Sequence, residues 1–128
     1  MKNEILCKYL KSIFPAYKVK AEYSTNKNDI KVITVQEQSG TKVVFFDNNT
    51  DPLFNYYEIV IYGESIKEQK DTSYAIGDLI GKNITFVSGG ETWQLMFMQM
   101  SNPQSIEYLD IRRVGYQIVL KTIIGKII

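Results

Sequence analysis

Histidine is absent from the 128-residue chain, and cysteine occurs once, at Cys7. These scarcities exclude a disulfide within the chain and every zinc site built on Cys or His ligands. They also exclude nucleophile–base pairs of the Ser–His and Cys–His kinds. Because Cys7 falls in an apolar stripe, we expect a small core residue rather than a reactive thiol. Any enzymatic chemistry would have to rely on carboxylates.

The chain also lacks an excess of either charge, since 15 basic and 14 acidic residues leave a net charge of +1. Such a chain has no strong attraction to nucleic acid or to acidic lipid. No apolar run approaches the roughly 18 residues of a membrane span, and the N-terminal residues lack the apolar centre of a signal peptide. We therefore expect a soluble, intracellular protein with no direct nucleic-acid recognition and no membrane association. Its length predicts a single domain over residues 1–128.

The turn motifs lack the residues that would make them ligand sites. Ser88-Gly89-Gly90 has neither a following helix nor a Lys, which favours a hairpin turn over a phosphate cradle. Residues 47–51, DNNTD, resemble the start of a calcium loop but lack its Gly and its distal Glu. We therefore expect no metal ligand and no cofactor.

Hydrophobic periodicity predicts an α+β fold. A mainly antiparallel mixed β-sheet is expected, with an N-terminal helix and a central helix packed on it, because the strands form hairpins without repeated βαβ units. Apolar residues on both faces of strand 54–63 indicate a central, covered strand. The first half is predicted to contain a helix over 3–14 ended by Pro15, hairpin strands 30–36 and 41–46, and strand 54–63. A second helix is predicted from the Ser65/Glu68 capping box to Gly81, and its inner side is expected to carry Ile66, Ser73, Ile76 and Ile80. A hairpin around Ser88-Gly89-Gly90 and a long strand over 114–124 follow.

Methionines alternate with other residues in the segment WQLMFMQM, residues 93–100. A strict two-residue period places Met96, Met98 and Met100 together on the side opposite Trp93. A soft, Met-rich surface suits contact with another chain. A second core layer beneath a helix is an equally good interpretation.

Acidic and basic residues cluster just before the last strand, in EYLDIRR, residues 107–113. On a strand Arg112 and Arg113 would point to opposite sides, which argues against a phosphate clamp. A structural ion pair with Asp110 or Glu107 and a docking contact both remain open. The apolar end at Ile127 and Ile128 also needs cover, from the chain's own sheet or from another subunit.

Two long segments carry a resemblance to a known family. YYEIVIYGESIKEQKDTSYAIGDLIG, residues 56–81, and TWQLMFMQMSNPQSIEYLDIRRVGYQIVLKT, residues 92–122, follow one another as strand, helix, hairpin, Pro-containing segment and long last strand. In this order and hydropathy the chain resembles the tail terminator and minor capsid proteins of long-tailed bacteriophages. The N-terminal helix and early hairpin fit as well, so the resemblance covers roughly the whole chain.

The resemblance implies a structural role in virion assembly rather than catalysis. Proteins of that family close the head-proximal end of the tail tube, often as a hexameric ring, and join it to the head. The implied partners are copies of the same chain, the tail tube protein and the head–tail connector, and the implied location is the virion neck after assembly in the host cytoplasm. The interface candidates are Met96, Met98, Met100, Asp110, Arg112, Arg113, Ile127 and Ile128.

Other functions stay open at this point. The chain could be another neck or head-completion protein. It could also be a small-ligand-binding domain or an enzyme, with Glu58, Asp110 and the Tyr-rich strand 56–62 around a pocket. An intracellular adaptor that forms no ring is a further possibility.

The arginine pair provides a first test of the docking interpretation. Arg112→Ala and Arg113→Ala should leave thermal unfolding unchanged and reduce assembly, because they remove interface contacts without opening the core. Assembly is measured by light scattering after size-exclusion chromatography. Normal assembly of both variants would exclude a docking role for this segment.

Overall fold

The computed structural model describes residues 2–21, 30–38, 54–108 and 113–127. The elements in these ranges are α1 Lys2–Ile13, β1 Lys18–Lys20, β2 Val32–Gln38, β3 Asn55–Tyr62, α2 Ile66–Gly77, β4 Asn83–Ser88, β5 Glu91–Met100, β6 Gln104–Tyr108 and β7 Arg113–Ile127. The strands form one sheet in the order β1-β2-β3-β7-β5-β4, with β6 paired to β7 as well. The β1–β2 pair is parallel, and the other strand pairs are antiparallel. The predicted α+β class is confirmed.

The long last strand, β7, is the centre of the sheet. Its residues 116–122 pair with β3 along one edge. Along the other edge, residues 113–117 pair with β6 and residues 120–127 pair with β5. The Ser101 N–H donates to the Val119 carbonyl at 2.9 Å and bridges the gap between β5 and β6. The predicted strand over 114–124 is thus confirmed and extends to Ile127.

Both helices pack on one face of the sheet and share its main hydrophobic core. Leu6 and Leu10 of α1 and Ile76 of α2 are fully buried there. The Tyr9 ring meets Phe86 of β4 edge-on, with ring centroids 5.6 Å apart, and so joins α1 to the end of the sheet. Complete burial of a Leu or Ile side chain, as at Leu6, Leu10 and Ile76, stabilises the fold by about 1.5–3 kcal/mol.

Helix α1 ends just before Pro15, close to the predicted boundary. Lys11 Nζ donates to the carbonyl oxygens of Pro15 at 2.8 Å and Tyr17 at 2.7 Å, which ties the segment after the helix to its last turn. Cys7 is half-buried against the main core, as expected. Burial, together with the nearby Glu4 carboxylate, raises the pKa of its thiol to about 11, so the group stays protonated at neutral pH.

Helix α2 begins as predicted but buries a different set of residues. The Ser65 hydroxyl accepts from the Glu68 N–H at 3.1 Å, so the predicted capping interaction is confirmed. The expected inner residue Ile66 is instead 59% exposed. Hydrogen bonds allow polar groups to take the inner positions, which apolar patterning does not reveal. The buried residues are Gln69, Thr72, Ser73 and Ile76.

The end of α2 also differs from the predicted position at Gly81. The helix stops at Gly77, and the Gly81 N–H donates to the Phe97 carbonyl at 2.8 Å, which holds the following turn against β5. Gly81 has a φ of 82°, a conformation that other residues rarely adopt. Gly89 and Gly90, at φ values of 60° and 77°, form the two-residue turn between β4 and β5 and confirm that hairpin.

Strand β3 is covered on both faces, as its sequence predicts. On the helix side Tyr57 and Ile59 enter the main core, while Val60 and Tyr62 are buried on the other side. Its pairing with β2 confirms the first strand of the early hairpin; the expected second strand over 41–46, like the DNNTD turn, lies outside the described residues.

A glycine of β7 is required by the packing on this second face. A methyl group at Gly115 would lie 2.9 Å from Val60 Cγ1 and 2.9 Å from Tyr62 Cε1, and both of these side chains are buried. At Gly125, on the same strand, a methyl group would meet nothing within 4 Å.

These two glycines form a matched pair for a stability test. Gly115→Ala should lower the free energy of unfolding by about 1–3 kcal/mol, because buried side chains must move. Gly125→Ala should be neutral or stabilise by about 0.5–1 kcal/mol, because it only restricts the unfolded chain and improves the strand. Urea denaturation followed by circular dichroism measures both. Equal destabilisation by the two variants would contradict the close packing at Gly115.

Candidate docking surfaces

A β-bulge in β5 separates the three methionines. Phe97 pairs with Thr122 and Gln99 with Lys121, so Met98 has no partner across β7. The extra residue shifts the two-residue period by one position. The prediction that the three methionines share one face is therefore wrong.

Each methionine has a different environment. Met100 returns to the helix side, packs against the main core and lies against Gly77 of α2. It fits the interpretation of a core layer beneath a helix. Met96 stays on the opposite face of the sheet, level with Ile123. Met98 is 40% exposed at the bulge. Only Met96 and Met98 remain candidates for an interface.

Met96 belongs to a larger surface without charge, which we call the neutral face. It is the side of the β4-β5-β7 end that faces away from the helices, because Leu95, Phe97 and Ile124 on the other side enter the main core. Strand register places its residues in three rows, and none of them carries a charge. The rows are Asn83, Met96 and Ile123; Thr85, Gln94 and Gly125; and Val87, Thr92 and Ile127.

The neutral face is open and partly apolar. Val87 is 65% exposed and Ile127 is 45% exposed, and these two side chains lie in the same row. The Gln94 amide donates to the Asn83 side-chain oxygen within the surface. Apolar groups grouped on an uncharged surface are typical of sites that contact another protein. The expected interface residue Ile127 lies here, whereas Ile128 lies outside the described residues.

A second exposed apolar group lies on the helix side of the sheet. Ile66 and Tyr74 are 59% and 51% exposed and are separated by two turns of α2. Lys70 lies between them, with its ammonium 5.8 Å from the centre of the Tyr74 ring. We call Ile66, Lys70 and Tyr74 the α2 ridge. It and the neutral face lie on opposite sides of the sheet.

The charged candidates near residue 110 lie largely beyond the described part of the chain. Asp110 and Arg112 are outside it, and so are the side chains of Glu107 and Arg113. The backbone places Arg113 opposite Tyr108, at the end of the β6–β7 pair that adjoins residues 109–112. Within the Pro-containing segment that precedes the last strand, residues 104–108 form β6. Pairing with β7 gives this polar segment a regular extended structure.

A polar cluster beside α2 joins this helix to the segment after α1 and to the residue that precedes β2. Tyr17 Oη donates to Glu68 Oε1 at 3.0 Å and lies 3.0 Å from Thr72 Oγ1. Lys31 Nζ lies 3.1 Å from the same Glu68 oxygen. An open groove of about 380 Å³ runs along this side of α2, with Phe14 at one wall. Because the four polar groups satisfy one another, their evident effect is to hold α2 against β2 and the segment after α1.

These contacts change the ionisation of the cluster. Burial by itself would raise the pKa of the Glu68 carboxyl, but the hydrogen bonds from Lys31, from Tyr17 and from the Glu64 N–H outweigh it and lower that pKa. The hydrogen bond and the attraction to Glu68 raise the pKa of Lys31. Burial raises the pKa of Tyr17. Glu68 is thus ionised and Lys31 charged throughout the neutral range.

The carboxylate-pocket hypothesis receives no support from Glu58. This residue is buried on the face away from the helices and accepts from Gln38 Nε2 at 2.9 Å. Within the described ranges no group of three or more His, Cys, Asp or Glu side chains is placed to hold a metal ion. None of the described helices is long and apolar enough to span a membrane.

Of the residues of the neutral face, the sequence predicted only Met96 and Ile127 as interface residues. The β4–β5 rows could have been derived by counting outward from the Gly89–Gly90 turn, because a two-residue turn sets the register of its hairpin. The third strand of each row could not, since β7 comes from a distant part of the chain.

Neither protein-family models nor curated protein sequences give a match to this chain.

The polar cluster predicts a pH-dependent contribution to stability. A lowered pKa in the folded state stabilises the protein above the ordinary carboxyl pKa, and the effect is lost as the pH falls through the lowered value. Glu68→Gln should therefore cost about 1 kcal/mol at neutral pH, after allowance for solvent screening, and progressively less in acid. Chemical denaturation at a series of pH values measures this difference.

The control is Asp71→Asn, which removes an exposed ion pair with Lys67 on the same helix. We expect it to change stability by only a few tenths of a kcal/mol at any pH, because exposed ion pairs contribute little. A Glu68→Gln effect of constant size down to strong acid would contradict the lowered pKa.

Proposed function

We propose that this protein is a structural subunit of a bacteriophage tail, a tail terminator that forms a ring of six copies at the head-proximal end of the tail tube and joins it to the head connector. The element order on which the resemblance rests supports the proposal, because the helix, central strand, second helix, hairpin and long last strand are all present. In this proposal the protein acts through contact surfaces and carries out no chemical reaction.

One observation carries the ring proposal: two different exposed apolar surfaces lie on opposite sides of the same sheet. A closed ring needs a head-to-tail contact, in which one patch of each copy meets a different patch of the next. The neutral face and the α2 ridge supply such a pair. Contact between like patches could make a dimer but could not, by itself, extend to a ring.

The side chains of the α2 ridge and those of the neutral face are chemically complementary. Ile66 and Tyr74 would cover apolar side chains such as Val87 and Ile127, each of which contributes about 1.5–3 kcal/mol when fully buried. The Lys70 ammonium sits against the Tyr74 ring and so keeps a partner in the contact. The neutral face offers Asn83, Thr85 and Gln94 as polar partners without adding an unpaired charge.

Mutation of each surface in turn tests this arrangement. Gln94→Lys on the neutral face and Ile66→Lys on the α2 ridge should each prevent ring formation, because an unpaired charge within a contact costs about 2–5 kcal/mol. The wild-type protein is expected to form a hexameric ring when purified tail tubes are added. Electron microscopy of the tails measures ring formation. Ser12→Lys, at an exposed position of α1, is the matched control and should assemble normally.

A mixing experiment distinguishes a head-to-tail contact from a symmetric one. In a mixture of Gln94→Lys and Ile66→Lys, one intact patch remains on each variant, so the two variants should bind each other through these patches, and no ring should form. Rings from either variant alone, or a wild-type protein that forms no ring with or without tail tubes, would contradict the proposed function.

A further inference from the structure

The two outer strands of the sheet differ sharply in length and charge. Strand β1 has three residues, and two of them are Lys18 and Lys20. Strand β4 has six residues, NITFVS, with no charge and no proline. In the described part of the chain no strand pairs with the outer edge of β4. Short strands and lysines protect an edge against pairing with another chain, so β1 is protected and β4 is not.

The unpaired backbone groups of β4 can be assigned from its hairpin. Ser88 and Glu91 flank the two-residue turn, and in such a hairpin the flanking residues exchange both backbone hydrogen bonds. Bonding then alternates along the strand, so Phe86 and Ile84 also bond inward to β5. The N–H and C=O groups of Asn83, Thr85 and Val87 therefore point to the free edge.

This edge is complementary to itself. In an antiparallel pairing with Thr85 at a two-fold axis, Thr85 meets Thr85 and Asn83 meets Val87 of the second copy, and all these residues carry outward-pointing groups. On the helix side, Ile84 meets Phe86, a β-branched–aromatic pair that stabilises sheets. Lys82 falls opposite Ser88, so no like charges meet. The same symmetric pairing of β1 about Val19 would place Lys18 against Lys20.

We infer that the free protein pairs with a second copy of itself through the β4 edge, in the antiparallel register centred on Thr85. Six backbone hydrogen bonds, two from each of three residue pairs, would join the two sheets into one. Both sets of helices would then lie on the same side of the joined sheet, because residues opposite each other in an antiparallel pair share a face.

This inference adds a step to the proposed function. A ring that joins a tail tube to a head meets two different partners, so its two sides must differ and its copies must point the same way. A two-fold contact reverses one copy relative to the other and cannot persist in such a ring. The β4-linked pair would thus be the form of the protein before assembly, and it would open when copies join the ring.

A proline at the centre of the edge tests the pairing. Thr85→Pro removes an N–H that points outward, so the hairpin keeps its own bonds while the edge loses its central pair. Sedimentation velocity over a concentration series should show wild-type dimer and a dimer dissociation constant raised on the order of tenfold or more by the substitution. Thr85→Val, which keeps the N–H and the β-branched shape, should still dimerise. Circular dichroism checks that each variant is folded.

A cross-link tests the register without relying on a destabilising substitution. In a Cys7→Ser background, Thr85→Cys should form a covalent dimer on mild oxidation, because directly opposed residues in this kind of pair have Cα atoms about 5.5 Å apart. Thr92→Cys, on the same face but one strand further in, should stay monomeric under non-reducing electrophoresis. A wild-type protein that is monomeric at all concentrations, or equal cross-linking at both positions, would overturn the inference.

The test of the β4 pairing gives a different result from the test of the tail-terminator ring. If the wild-type protein is a β4-linked dimer when free and forms rings on tail tubes, both the pairing and the ring are supported. If the wild-type protein dimerises through β4 and never forms a ring, the pairing stands and the tail-terminator proposal fails.

Discussion

Strand β7 is hydrogen-bonded along both edges, and the rest of the structure depends on this. Residues 116–122 pair with β3 while the opposite edge pairs first with β6 and then with β5. Because one continuous strand sets the register of both halves, the early strands and the β4–β5 hairpin become parts of a single sheet. The helices can then cover a common face, with Ile118, Leu120 and Ile124 of β7 as the floor of the core.

The other face of the sheet divides into two regions of different character. Around β2, β3 and the first half of β7, the side chains of Val32, Val60 and Tyr62 are buried, and Gly115 allows them to approach β7 closely. At the β4-β5-β7 end the same face is open and uncharged. A head-to-tail contact needs two different patches on each subunit, and in the proposed ring this open region is one of them.

The two proposed contacts use different parts of the same hairpin. The ring contact would use side chains of the neutral face, whereas the free pair would use backbone groups at the edge of β4. The first depends on burying apolar area and the second on completing hydrogen bonds that water otherwise satisfies. The two contacts share Asn83, Thr85 and Val87 of β4, so Gln94→Lys on β5 tests the ring contact without changing the edge.

The sequence by itself determined the local elements. Periodicity located both helices and most strands, Ser65 and Glu68 marked the start of α2, and Gly89-Gly90 marked a hairpin, because caps and turns depend on residues near one another in the chain. Only the tertiary structure decided that Met100 faces α2, that polar residues line the inner side of that helix, and that β7 joins the hairpin to β3. A bulge, a buried hydrogen bond and the pairing of distant strands each depend on which residues meet in space, and local patterns carry no information about those meetings.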